Sequence, residues 1–178
     1  MPAPAENYTS IETRLRFERQ AANAWAGCLA AAFVWMSLIV AAPVLRAQGS
    51  EQLAGPIYHF FSYACHQIPE RSLYFLGNPF AVCARCFGVY FGLLAGILVY
   101  PLWRTRSNIE PLPRIWLFLA LIPIGVDWSL GVLGIWDNTH LSRFITGSIL
   151  GFACSTFIVP GVVEITRNLT NRRTRLAN

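Results

Sequence analysis

The residues best equipped for chemistry are three cysteines and a histidine. Cys83 and Cys86 stand in Cys-x-x-Cys spacing directly ahead of an apolar run, and Cys65-His66 precede them behind a loop marked by Pro69 and Gly77-Asn78-Pro79. Such spacing with a distant Cys/His partner suits a tetrahedral metal such as zinc, and it equally suits a redox dithiol. The apolar run after Cys86 predicts a helix, which places the pair at a helix N-terminus. Unpaired N–H groups and the positive end of the helix dipole favour thiolates there, and Arg85 between the two cysteines adds a positive charge. Cys65 supplies a third thiol on the same side. The fourth ligand of a closed site is then His66, His59 or His140, or the position stays open. Adjacent side chains diverge, so His66 is either a ligand or a hydrogen-bonding neighbour, and His59 on an aromatic face reads as structural. The ligand set taken forward is Cys65, His66, Cys83 and Cys86. A c-type haem is not expected, because Phe87 stands where that motif needs histidine. Cys28 and Cys154 fall inside apolar runs and read as small core residues.

Asp127 is the other residue with chemical promise. It lies ~10 Å below the end of an apolar segment at ~1.5 Å per residue, and a carboxylate at that depth must face a partner or a cavity. Arg143, at the start of the next segment, is the nearest expected partner, with Arg71 and Arg85 as alternatives. Asp127 and Arg143 therefore form either a structural ion pair that locks the third and fourth segments or a proton or ion relay.

The elements that must position these groups are transmembrane helices. Of the 178 residues, 54% are hydrophobic and 13% charged, about half the ~25% charged share of soluble domains. Spans are expected at about Ala21–Leu45, Phe87–Trp103, Ile115–Gly134 (with Pro123 inside) and Phe144–Val163, each near the length that crosses a ~30 Å hydrocarbon core. The first apolar stretch exceeds the roughly 7–15 residues of a signal-peptide core, which favours an uncleaved anchor. Between the first two spans, Ile57, Phe60, Phe61, Ala64 and Cys65 recur at helical spacing, predicting a short amphipathic helix in the interface plane. Gly88, Gly92 and Gly96 in the second span, and Gly147, Gly151 and Ser155 in the fourth, form matched smooth faces that predict contact between those two spans. The expected fold is an all-α integral membrane protein, four transmembrane helices plus a short outer interfacial helix. Its organisation is a polar segment 1–20, a membrane domain 21–165 with an outer Cys/His loop 46–86, and a basic tail 166–178.

Arginine placement gives the expected orientation. Arg14, Arg16, Arg19, Arg104, Arg106, Arg114, Arg167, Arg172, Arg173 and Arg175 would lie on one side, and Arg46, Arg71, Arg85 and Arg143 on the other. By the positive-inside rule both termini are cytoplasmic in the cell membrane and the Cys/His loop faces outward. The net charge of +5 is thus read as orientation in the lipid bilayer; no basic face with interleaved aromatics points to nucleic acid.

Cys65-His66, Pro69, Arg71-Ser72 and then Cys83-x-Arg85-Cys86-x-Gly88-x-Tyr90 resemble the signature of a family of uncharacterised prokaryotic membrane proteins, domain of unknown function 2085. The resemblance extends through Asp127 and Arg143-x-x-Thr146-Gly147, covering about Tyr58 to Val163. It implies a compact multi-span membrane protein and brings no reaction with it. Two functions from different classes remain open. One is a module holding a zinc-like metal at the outer membrane face, as a structural or accessory subunit of a membrane assembly. The other is a quinone-linked thiol–disulfide oxidoreductase using Cys83 and Cys86, although proteins of that layout generally carry a second cysteine pair and here only Cys65 remains. A small transporter built on Asp127 has that single charge as its support.

Overall fold

The computed structural model describes residues 5–106 and 110–177, with the side chains of residues 5–10 and 171–177 outside that description. Residues 1–4 of the expected N-terminal segment, residues 107–109 of the middle loop and Asn178 of the expected tail lie outside the described residues. Among the described residues the chain forms five α-helices: α1 (Ala5–Ala47), α2 (Glu51–Ser62), α3 (Ala84–Trp103), α4 (Ile115–Val132) and α5 (His140–Ala177). Four of them, α1, α3, α4 and α5, are long and apolar enough to span a membrane. The protein is an all-α multi-span membrane protein with α2 as the short additional helix.

Helix reaches into the polar segment at one end and the basic tail at the other. The segment 1–20 shows no apolar period of its own, yet α1 already runs from Ala5. The tail likewise continues α5 to Ala177. The cause is tertiary: Ala21 and Ala24 pack with Val163, and the Arg167 guanidinium lies 4.6 Å from the Phe17 ring centre. Extending two packed helices adds one hydrogen bond per residue without a new nucleation step.

Among the described residues the α3–α5 seam is the tightest contact between helices. A Cβ on Gly88 or Gly92 would run into the carbonyls of Phe144 or Ser148, and one on Gly147 or Gly151 into those of Arg85 or Val89. Gly96 meets the Ser155 hydroxyl instead, and Ser155 is fully buried. The two small-residue faces therefore let backbone pack on backbone, the device by which helices associate where lipid removes any hydrophobic drive between them. α1 joins this pair near its middle, where Trp25 donates its indole N–H to the Ile97 carbonyl at 2.7 Å. α4 is the most lipid-exposed span, with Trp116, Phe118, Ile122 and Val126 all on its open surface.

Between α1 and α3 lies a feature absent from the expected architecture, a two-stranded antiparallel hairpin. After a single 3₁₀ turn at Pro69–Arg71, β1 (Ser72–Phe75) pairs with β2 (Asn78–Cys83). Phe75 faces Asn78, so Leu76 and Gly77 form a two-residue turn, and both have positive φ, 50° and 77°. That is the geometry of a type I′ turn, whose twist matches paired strands. The hairpin and α2 close one end of the bundle over Phe61, Met36, Ile39, Ala81 and Val82. The Trp35 ring is central there, 5.1 Å from Phe61 and 5.5 Å from Tyr90 between centres.

Candidate metal centre

The hairpin delivers two thiols to a third. β2 ends at Cys83, the residue that caps α3, and Cys86 follows in the first helical turn. Cys65 arrives from the other side, just after α2, and is held by a backbone hydrogen bond from its own N–H to the Phe61 carbonyl at 2.9 Å. Gln67 fixes the approach of the two strands of chain. Its side-chain amide donates to the Tyr58 and Ala81 carbonyls, both at 2.7 Å, and its backbone sits at φ 51°. A non-glycine residue held in the left-handed region is sterically disfavoured and persists only where its surroundings over-determine it. Tyr58 adds a second tie, its hydroxyl donating to the Pro79 carbonyl.

The outcome is a compact trio of sulfurs. Cys65, Cys83 and Cys86 have their Sγ atoms all within 4.8 Å of one another. Cys83 Sγ is 3.3 Å from Cys65 Sγ and 3.5 Å from Cys86 Sγ, and the Cys83 amide N–H points at Cys65 Sγ at 3.3 Å. These are free thiols, since a disulfide would bring two sulfurs to ~2.05 Å. Neighbouring thiols of Cys65 and then Cys86 hold the Cys83 thiol well below its ordinary pKa, with the N–H groups of Cys86 and Arg85 at the helix start acting in the same direction against burial. The trio thus favours at least one thiolate, the form that binds metal or attacks a disulfide.

The four ligands expected from sequence do not assemble equally. The group of mutually close donor atoms contains the three thiols and not His66. Cys65 is 6% exposed, while His66 is exposed and lines the cleft beside the trio. His59 is taken up by Tyr63, with its Nε2 3.2 Å from the Tyr63 hydroxyl, and stays on the surface. His140 opens α5, half-buried and apart from the sulfurs. Cys28 packs by Ile97, Tyr100 and Val159, and Cys154 is half-buried on α5; neither belongs to the trio.

Asp127 is buried, 8% exposed, and its ion-pair partner is Arg85 rather than the expected Arg143. Arg85 leaves the first turn of α3 toward α4, so the pair joins the second and third spans instead of the third and fourth. Asn138, from the turn between α4 and α5, donates to the Asp127 carbonyl oxygen at 2.7 Å and approaches its carboxylate at 3.3 Å. Asn138 and Gln67 are the contributors a sequence reading leaves out. Each acts by a side-chain amide reaching backbone in another element, and no residue pattern announces such a contact. Arg143 is half-buried nearby, close enough to interact with the charges of Arg71, Arg85, Asp127 and Cys83.

Thiols, arginines and Asn138 all line one open cleft of about 560 Å³ at this end of the bundle, walled on the α4 side by Trp128 and Trp136. The cleft therefore brings a metal-competent donor set, guanidinium groups and aromatic walls to a single place.

Comparison with known proteins agrees with a membrane protein at the level of the family. The family described as "Predicted membrane protein (DUF2085)" matches residues 65–157, from the first cysteine of the trio into α5. An uncharacterized protein of Methanocaldococcus jannaschii is 41% identical over 110 residues, 61% of this chain and 70% of its own length. An uncharacterized protein of Methanothermobacter thermautotrophicus is 32% identical over 90 residues, 49% of this chain and 77% of its own. No solved structure matches the chain.

Proposed function

The chain belongs to the DUF2085 family of predicted membrane proteins, and within that frame we propose that it is a membrane-embedded module holding a zinc ion on Cys65, Cys83 and Cys86. Both termini are cytoplasmic in this reading, the metal end of the bundle faces outward at the cell membrane, and the module serves as a structural or accessory subunit of a membrane assembly. The observation that carries the reading is the gathering of the three sulfurs within 4.8 Å. Tetrahedral zinc with Zn–S near ~2.3 Å sets its sulfur ligands about 3.8 Å apart, and separations of 3.3 and 3.5 Å are already close to that. Three thiolates crowded at a helix end repel one another, and Zn²⁺ removes that repulsion. The fourth position opens on the cleft, where water, a ligand or a swung-in His66 completes the sphere.

A second reading is supported by a separate feature. An apolar groove of about 340 Å³, lined by Trp35, Tyr90, Leu93 and Ile97, runs down the bundle, and Trp35 and Tyr90 also pack against the core around Cys65, Cys83 and Cys86. A quinone seated there would take two electrons and two protons from Cys83 and Cys86, leaving a disulfide and a quinol. This is the thiol–disulfide oxidoreductase alternative.

Metal analysis together with a free-thiol count on protein purified without chelator separates the two. The metal reading expects one zinc per chain, with Cys65→Ser, Cys83→Ser and Cys86→Ser each lowering bound metal to a similar extent. Acidification should release the ion as protons displace it from sulfur. An intact Cys83–Cys86 disulfide with negligible metal would overturn that reading and put the oxidoreductase first.

A further inference from the structure

The cleft contains more positive charge than its ion pair uses. Arg71 from the 3₁₀ turn, Arg85 from α3 and Arg143 from α5 all line it. Arg85 is matched by Asp127, although its Nε is buried without a hydrogen-bond partner. Among the described residues the Arg71 and Arg143 guanidinium groups have neither an ion pair nor a hydrogen bond. Arg143 nevertheless stands half-buried, near enough to feel repulsion from both other arginines as well as attraction from Asp127 and the Cys83 sulfur. Asp137, exposed on the turn before α5, is the one acid lining the cleft, and it pairs with neither. Each guanidinium presents five N–H donors in a planar fork that fits an oxyanion.

From this arrangement we propose that the cleft is a binding site for a phosphate group, held between Arg71 and Arg143 beside the Arg85–Asp127 pair. A carboxylate has two oxygens and satisfies one fork. The several oxygens of a phosphate accept from two forks at once, which suits guanidinium groups that arrive from separate elements. The cleft lies at the end of the spans, beside the interfacial helix α2 and between Trp128 and Trp136, aromatic residues of the kind that sit at headgroup level. Phosphate can therefore come from a lipid headgroup or from solution. The inference rests on the arginines and not on the metal.

The test uses the full chain, freed of lipid in a maltoside detergent and prepared in phosphate-free buffer. Inorganic phosphate is titrated while melting is followed, and phosphatidylglycerol is added separately and its retention measured after gel filtration. Binding of the phosphate group raises the melting temperature in one arm or retains lipid in the other. Arg71→Gln and Arg143→Gln should each weaken that response about tenfold or more, since a hydrogen bond to a charged group is worth ~1.5–3 kcal/mol. Arg114→Gln, a charge removed at the opposite end of the bundle, should leave it unchanged. Retention of lipid without a response to inorganic phosphate assigns the site to a headgroup, and the reverse assigns it to free phosphate. Zinc content measured on the same samples keeps the two proposals apart: lost phosphate binding with parental zinc supports this site alone. No response in either arm, or equal responses in the parent and both arginine variants, overturns it.

Discussion

A carboxylate about 8 Å below the end of α4, at ~1.5 Å per residue, has to be met by a cation, and the identity of that cation decides which helices are joined. Arg85 meets Asp127, while Asn138 satisfies the adjacent carbonyl. Removing one partner strands the other charge in a poorly solvated place, which is far worse than removing both. Asp127→Ala should destabilise the protein by ~3–5 kcal/mol, and Arg85→Met combined with Asp127→Leu should recover most of that loss. Melting of the two single variants and the double variant in detergent gives the coupling directly; additive losses would mean the pair contributes nothing as a pair. The need for a partner is legible in the sequence, because an acid inside an apolar segment demands one. Its choice is not: Arg71, Arg85 and Arg143 are all within plausible reach, and only the direction in which the first turn of α3 faces selects Arg85.

At the scale of elements, the seam between α3 and α5 and the hairpin behave differently toward sequence reading. Small residues every fourth position along two spans make a pattern, and the structure places those faces against each other with backbone in contact. Gly92→Leu should therefore lower stability by at least ~1–3 kcal/mol through overpacking, whereas Gly27→Leu, with nothing within 4 Å of its added Cβ, should be nearly neutral. Equal melting temperatures for the two variants would contradict the seam. The hairpin leaves a weaker trace. Its turn is Leu76-Gly77 rather than Asn-Gly, so only half of the usual signal is present, and Pro79 within β2 argues against a strand. A two-stranded ribbon with a proline is stable here because Tyr58 and Gln67 bind its backbone from outside. Those same ties bring Cys65 to Cys83, so the element hidden from pattern reading is the one that assembles the trio. The thiols themselves were legible by type and spacing, whereas the position of His66 depends on how the chain turns at Gln67.

For the whole molecule, four alternating spans put the start of α1 and the end of α5 at one end of the bundle and the cleft at the other, leaving only the choice of which end faces the cytoplasm. The arginines argue for one answer. Arg104, Arg106 and Arg114 flank the loop between α3 and α4 at the terminal end, where Arg14, Arg16, Arg19 and Arg167 also lie, and the cleft end has Arg46, Arg71, Arg85 and Arg143. Loop arginines resist translocation, so the terminal end should remain inside. Labelling intact cells with a membrane-impermeant maleimide tests this with two exposed positions, Gln48→Cys beside the cleft end and Thr105→Cys in the α3–α4 loop. Above the background of the native thiols, Gln48→Cys should label in intact cells and Thr105→Cys only after the membrane is opened. The opposite pattern would invert the protein and place the thiol trio in the reducing cytoplasm, while leaving a zinc site chemically intact.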